Sequence, residues 1–244
     1  MRRFKLIVEY DGTRYSGWQL QKAAPTIQSE LTRAASKITN EPITIEGASR
    51  TDAGVHAIGQ VAAFSTGSPI ATGNLHRGLN ALLASDIAVR EMSEVSPEFD
   101  PRRDAKEKTY LYRVLNRPVK SALHEKRAWF VHWPLDLERM REAAGFMLGE
   151  RDFSSFRAAD SDSPHSIREI RSIDVEREGD FIDITVRGRA FLRHMVRIMA
   201  GTLVTVGEGR LEPGEVEAII EARDRRAAPL TAPPWGLYLT KILY

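Results

Sequence analysis

One short segment of the chain concentrates groups that can do chemistry. Gly47 to Ala57 reads GASRTDAGVHA, which places Arg50, Asp52 and His56 close together. Gly47 and Gly54 permit tight backbone turns, so Asp52 belongs to a short loop able to hold an acid at the edge of a sheet. An ionised carboxylate there can serve as a nucleophile or as a base. Arg50 can reach a phosphate or orient the loop. The competing reading is a turn in which Asp52 merely caps a backbone N–H, and spacing alone favours that turn.

Three other segments carry candidates. FLRHMVRIMAGTLVTVG (Phe191 to Gly207) is predicted as one long, mostly apolar helix. It holds Arg193 and Arg197 at i, i+4, so one or both can leave the same face. An arginine on an apolar helix is costly unless paired. Asp52 is the candidate partner, and such a pair would favour its ionised form. A solvated face or a phosphate contact explains both arginines equally well. Tyr110 and Tyr112 alternate with Leu111 in KTYLYRVLN and so share one face of a strand. An aromatic there can stack on a base, although ordinary core packing fits the periodicity better. YDGTRYSGWQLQ (Tyr10 to Gln21) holds Arg14 among aromatics and glutamines. That mixture suits phosphate contact and stacking, or a surface loop with Trp18 folded inward.

The elements that must position these groups read as two α/β halves, 1–104 and 105–244, an α+β fold. In the first half FKLIVEY, ITIEGAS, GQVAAFST and DIAVREMSEV read as strands. TIQSELTRAASKIT, with Thr26 as N-cap, and NLHRGLNALL read as amphipathic helices. In the second half KTYLYRVLN, IREIRSIDVERE, DFIDITVRG and GLYLTKILY read as strands, the middle two joined at Glu178 to Asp180. DLERMREAAGFMLG, capped by Asp136, and EPGEVEAIIEARD complete the helices. Two such halves place a site in a cleft between them.

Composition restricts the chemistry. The chain has 244 residues, 42% hydrophobic and 28% charged, as expected of a globular protein. It shows no apolar run long enough for a membrane span. MRRFKLIVEYDG lacks the apolar core of a signal peptide, and a cytoplasmic protein is expected. There are no cysteines, which excludes disulfides, thiolate metal sites and a cysteine nucleophile. The six histidines show no metal-ligand spacing, and no phosphate-binding loop or dinucleotide fingerprint is present. No metal or other cofactor is expected, and the reaction falls to side chains. A net charge of +2 does not argue for nucleic acid. The preference for arginine, 27 against 8 lysines, suits phosphates and base edges but equally reflects coding bias.

YDGTRYSGWQLQ, SRTDAGVHAIGQV, DFSSFRAA, FLRHMVRIMAGTLVTVGEG and APPWGLYLTKILY together resemble the tRNA pseudouridine synthase A family, in its order and over nearly the whole chain. RTDAGVHA is the most specific of these motifs. The resemblance implies the pseudouridine synthase fold, with two RRM-like halves, a mostly antiparallel sheet and a central active-site cleft. It implies isomerisation of uridine to pseudouridine at positions 38, 39 and 40 of the tRNA anticodon arm, without a cofactor, by a homodimer. It implies that Asp52 is the catalytic carboxylate, that Tyr110 packs on the target base and that Arg197 pairs with Asp52. Arg50 matches the arginine that holds or displaces the RNA, and Arg14 and Arg193 are further expected RNA contacts. Two positions depart from the pattern: Ile198, where asparagine is common, and Ser161, where cysteine often follows DFSSFRAA. The runner-up reading is a non-catalytic RNA-binding or chaperone protein on the same fold, which would not need Asp52. A carboxylate-dependent glycoside hydrolase would need a second acid, and none is suggested near RTDAGVHA.

Overall fold

A computed structural model describes residues 1–159 and 164–244; Ser161 lies outside the described residues. The elements follow in chain order as β1 (Arg2–Tyr10), α1 (Ile27–Thr39), β2 (Glu46–Gly47), β3 (His56–Thr66), α2 (Thr72–Leu82) and β4 (Ile87–Val95). Then come β5 (Glu107–Asn116), β6 (Trp129–Val131), α3 (Leu137–Phe146), β7 (Gly149–Asp152), β8 (Ile167–Glu178) and β9 (Phe181–Gly188). The chain closes with α4 (Met195–Gly207), α5 (Glu215–Ala222) and β10 (Leu237–Leu243). They form two compact units, Met1–Lys106 with Tyr238–Tyr244, and Glu107–Leu237. The division expected from chain order, 1–104 and 105–244, keeps the last strand with the second half. The contacts place it with the first, because β10 pairs in parallel with β3, Tyr238 beside His56 and Leu239 beside Ala57.

In the first unit β3 is the central strand, antiparallel to β1, which is antiparallel to β4. The alternation of β1 turns Phe4, Leu6, Val8 and Tyr10 to one buried face. β3 is buried on both faces along most of its length, as a central strand requires. Ile27, Leu31, Ala34 and Ala35 recur at helical spacing and form the buried stripe of α1. Thr26 starts that helix with a capping box: its hydroxyl accepts from the Ser29 N–H at 3.1 Å, and the Ser29 hydroxyl accepts from the Thr26 N–H at 3.1 Å. Thr26→Ala is expected to lower stability by about 1 kcal/mol, read as a shift in the urea midpoint at unchanged m-value.

In the second unit β5, β9, β8 and β7 pair antiparallel in that order, and β6 adds to β5 in parallel. Gly179, at φ +58°, makes the turn between β8 and β9. Asp136 caps α3 by accepting from the Arg139 N–H at 3.1 Å. β6 and β7 were not expected; three and four residues are too few to show a period. The predicted helix at Phe191 begins only at Met195, because His194 takes a left-handed conformation at φ +64°. Ile198 is buried in α4. No helix among the described residues is long and apolar enough to cross a membrane.

Candidate active site

The Asp52 loop is held by backbone contacts from the segment that follows β1. The Trp18 N–H donates to the Thr51 carbonyl at 3.0 Å. The Tyr10 and Thr51 hydroxyls lie 2.8 Å apart. Within the loop, the Val55 N–H donates to the Asp52 carbonyl at 3.1 Å, across Gly54 at φ +78°. Gln60, fully buried, closes the other side by donating to the Ser49 carbonyl at 2.7 Å and accepting from the Ser49 N–H at 3.3 Å. Two glycines allow the close approach. A Cβ on Gly12 would fall 2.0 Å from the Val55 carbonyl oxygen, and one on Gly17, already at φ +87°, would fall 2.5 Å from that of Thr51. Trp18 is folded inward against Gly47, as one of the two readings of its loop held.

His56 anchors the end of the loop. Its ring stacks on Tyr238 with centroids 4.8 Å apart. Its Nδ1 lies 3.1 Å from the Gly12 amide nitrogen and 3.2 Å from Asp11 Oδ1. One ring nitrogen cannot accept and donate at once. The Gly12 amide can only donate, so Nδ1 is the acceptor, and Asp11 is satisfied locally by the Thr13 N–H at 3.0 Å and hydroxyl at 2.5 Å.

Asp52 is half-buried and Arg50 is exposed. Arg14 is exposed but engaged: its Nε and Nη2 reach Asp86 Oδ2 at 2.8 and 2.6 Å. That hydrogen bond to Asp86 raises the guanidinium pKa. Asp86 also accepts from the Tyr15 hydroxyl at 2.7 Å, and burial, with this bond, pushes that phenol up to about 12. A phosphate meeting Arg14 must therefore compete with Asp86.

Tyr110, Arg193 and Arg197 belong to the second unit. Tyr110 is buried, its ring in an edge-to-face contact with Phe191 at 5.1 Å. Tyr112 shares its strand face but is committed to packing. Its hydroxyl donates to the Pro233 carbonyl at 2.8 Å, and burial pushes the phenol well above its usual range, with Arg197 acting in the opposite sense. Arg197, half-buried on the first turn of α4, is clamped to Ala232. Its Nε donates to the Ala232 carbonyl at 2.9 Å, and its own carbonyl accepts from the Ala232 N–H at 3.1 Å. Arg193 precedes the helix and is exposed, its carbonyl accepting from the Ala158 N–H at 3.0 Å. Of the two arginines expected at i, i+4, one or both of which could leave the same helical face, only Arg197 is helical.

In the sequence Phe191 is simply the first residue of the predicted apolar helix, and nothing singles out Gly17 or Ala232. Tyr10-Asp11-Gly12 signalled only a turn, and nothing in the sequence announces a backbone carbonyl such as that of Ala232 as an arginine's partner. Among the described residues, no group of three or more His, Asp or Glu could hold a metal ion.

Comparison with known proteins adds the wider context. The family described as tRNA pseudouridine synthase matches residues 6–102 and 143–244. A tRNA pseudouridine synthase A of Myxococcus xanthus is 47% identical over 245 residues, covering 100% of this chain and 92% of its own. Enzymes of the same name from Acetivibrio thermocellus and Geotalea uraniireducens are 45% and 44% identical, covering 100% of both chains in each case.

Proposed function

The chain belongs to the tRNA pseudouridine synthase family, and on that footing we propose that Asp52 is the carboxylate that carries out its reaction. The protein is an isomerase that converts uridine to pseudouridine in tRNA. The reaction breaks the N1–C1′ bond, turns the uracil and rejoins it through C5; C5 loses its proton and N1 gains one, so atoms and electrons balance. In the proposal the targets are positions 38, 39 and 40 of the anticodon stem-loop, the enzyme is a cytoplasmic homodimer, and one tRNA is its partner.

A base must leave its stack before its glycosidic bond can be attacked. Tyr110 supplies the ring on which the displaced uracil packs, and its edge-to-face contact with Phe191 fixes the orientation of that ring. Arg197 pairs with Asp52. Nε is engaged by Ala232, so in this proposal the pairing uses the terminal nitrogens. An adjacent guanidinium favours the ionised acid, which then attacks C1′ or C6, or removes the proton at C2′. Arg50, Arg14 and Arg193, all exposed, take phosphates. The observation that carries this reading is the Asp52 loop itself. Its backbone is bonded to Trp18 and packed on Gly12 and Gly17 so closely that no side chain fits between. A turn that only capped an amide would not call for that fixation.

The test uses tRNA transcripts that keep one uridine among the three positions. The wild-type protein is expected to form pseudouridine at each. Tight tRNA binding with no pseudouridine at any of them would instead support a non-catalytic RNA-binding protein. Tyr110→Ala is expected to lower kcat/KM by about fivefold to 160-fold, equivalent to base stacking of about 1–3 kcal/mol, in the same assay at limiting tRNA.

A further inference from the structure

In the second unit, the connection from β5 to β6 and the segment before β10 line a half-open cavity of about 260 Å3. Its walls include Lys120, His124, Lys126, Trp129 and Trp235, with Glu125 as the one carboxylate. The connection is braced. Arg117 donates to the carbonyls of Val119 and Lys120 at 2.7 and 3.2 Å and pairs with Asp180 at 3.0 Å. His124 is set edge-on against Phe181 at 4.9 Å, and Trp129 edge-on against Tyr112 at 6.1 Å.

Lys126 is the unusual member. Its φ is +58°, a left-handed conformation that lysine rarely adopts. The other non-glycine residues with positive φ among the described residues are Asn40, His194 and Arg223, and each sits at a helix end. Lys126 ends no helix. Its conformation instead carries the ammonium to 4.4 Å from the centre of the Trp235 ring. A strained residue of this kind persists where a surrounding contact holds it, and such residues cluster at ligand clamps.

We propose that this cavity takes an unpaired nucleotide of the RNA substrate other than the uridine being rearranged, a proposal that rests on tRNA being the substrate. The indoles of Trp129 and Trp235 line the cavity and can stack on any base, with Lys126 turning from the Trp235 ring to a phosphate as the base enters. Lys120 and Lys126 offer two ammonium groups to the flanking phosphates. The volume is below the ~300–1,000 Å3 usual for small-molecule pockets, which suits one base rather than a larger free ligand. The cationic lining favours RNA over a protein segment, although Val119 and Leu123 on the same connection are exposed apolar residues.

The test is equilibrium tRNA binding by the wild type and by a Lys120→Gln/Lys126→Gly double variant, over a range of salt concentrations. Glycine suits the backbone at 126, so the fold is kept, and a urea melt verifies it. The double variant is expected to bind tRNA about tenfold more weakly, with the slope of log K against log salt reduced by roughly 1.4–1.8, as for two lost phosphate contacts. Ultraviolet crosslinking of the wild-type complex should attach nucleotides to the peptides that hold Trp129 or Trp235. Unchanged affinity and slope would overturn the proposal. So would a change confined to the oligomeric state, which would assign the cavity to a contact between copies. Neither readout involves turnover, so failure here is distinct from failure of the Asp52 assignment.

Discussion

Gly12→Ala should lower turnover by roughly 10²-fold without replacing any candidate catalytic residue. The added Cβ would lie 2.0 Å from the Val55 carbonyl oxygen, and the obstructing atoms are backbone, not the end of a flexible chain. The two segments must therefore separate. Overpacking of this kind costs about 1–3 kcal/mol, occasionally more. The larger effect falls on catalysis. Val55 is bonded through its N–H to the Asp52 carbonyl, so moving one moves the other. A displacement of about 1 Å at a reacting group lowers rate by roughly 10²-fold. The urea midpoint reports the first effect and the single-turnover rate the second. A wild-type rate in a variant shown to be folded would mean that this packing does not position Asp52.

Asp52→Asn removes the charge of the side chain. Asparagine matches the volume of aspartate, and the hydrogen bond that forms the turn uses the Asp52 backbone carbonyl, which the substitution leaves untouched. The loop contacts to Tyr10, Gly12 and Trp18 involve neighbouring residues and also survive. Turnover is expected to fall by about 10²-fold to 10⁴-fold or more, the range for loss of a positioned acid–base group or nucleophile. Affinity for tRNA should stay near that of the wild type, because the proposed reading assigns binding to arginines and aromatics elsewhere. Asp52→Glu keeps the charge but advances the carboxylate by one methylene, and should retain a small part of the rate.

Much of this was legible in the residues. The apolar spacing of α1 and α3, with Thr26 and Asp136 before them, marked both helices and their starts. An apolar, β-prone run ending at Asp11-Gly12 marked β1, and the Glu-Gly-Asp turn marked the β8–β9 hairpin. RTDAGVHA marked the loop that holds the acid. What was hidden depends on distant parts of the chain. The assignment of β10 to the first unit rests on a parallel pairing with β3, about 180 residues earlier in the sequence, which local pattern cannot show. The late start of α4 comes from the left-handed His194, whose neighbours read as continuous helix. Strands as short as β6 carry no period. The roles of Gly12 and Gly17 arise from carbonyls some 40 residues away, so each looked like an ordinary turn residue. Trp18, by contrast, was legible as one of two alternatives, and its burial decided between them.

The most direct test of the Asp52 assignment is single-turnover release of tritium from tRNA labelled at uridine C5, with enzyme in excess and binding of each variant matched by concentration. The wild type should release the label as pseudouridine forms, and Asp52→Asn should bind the same tRNA and release essentially none. Release by Asp52→Asn at a rate near that of the wild type would contradict the assignment.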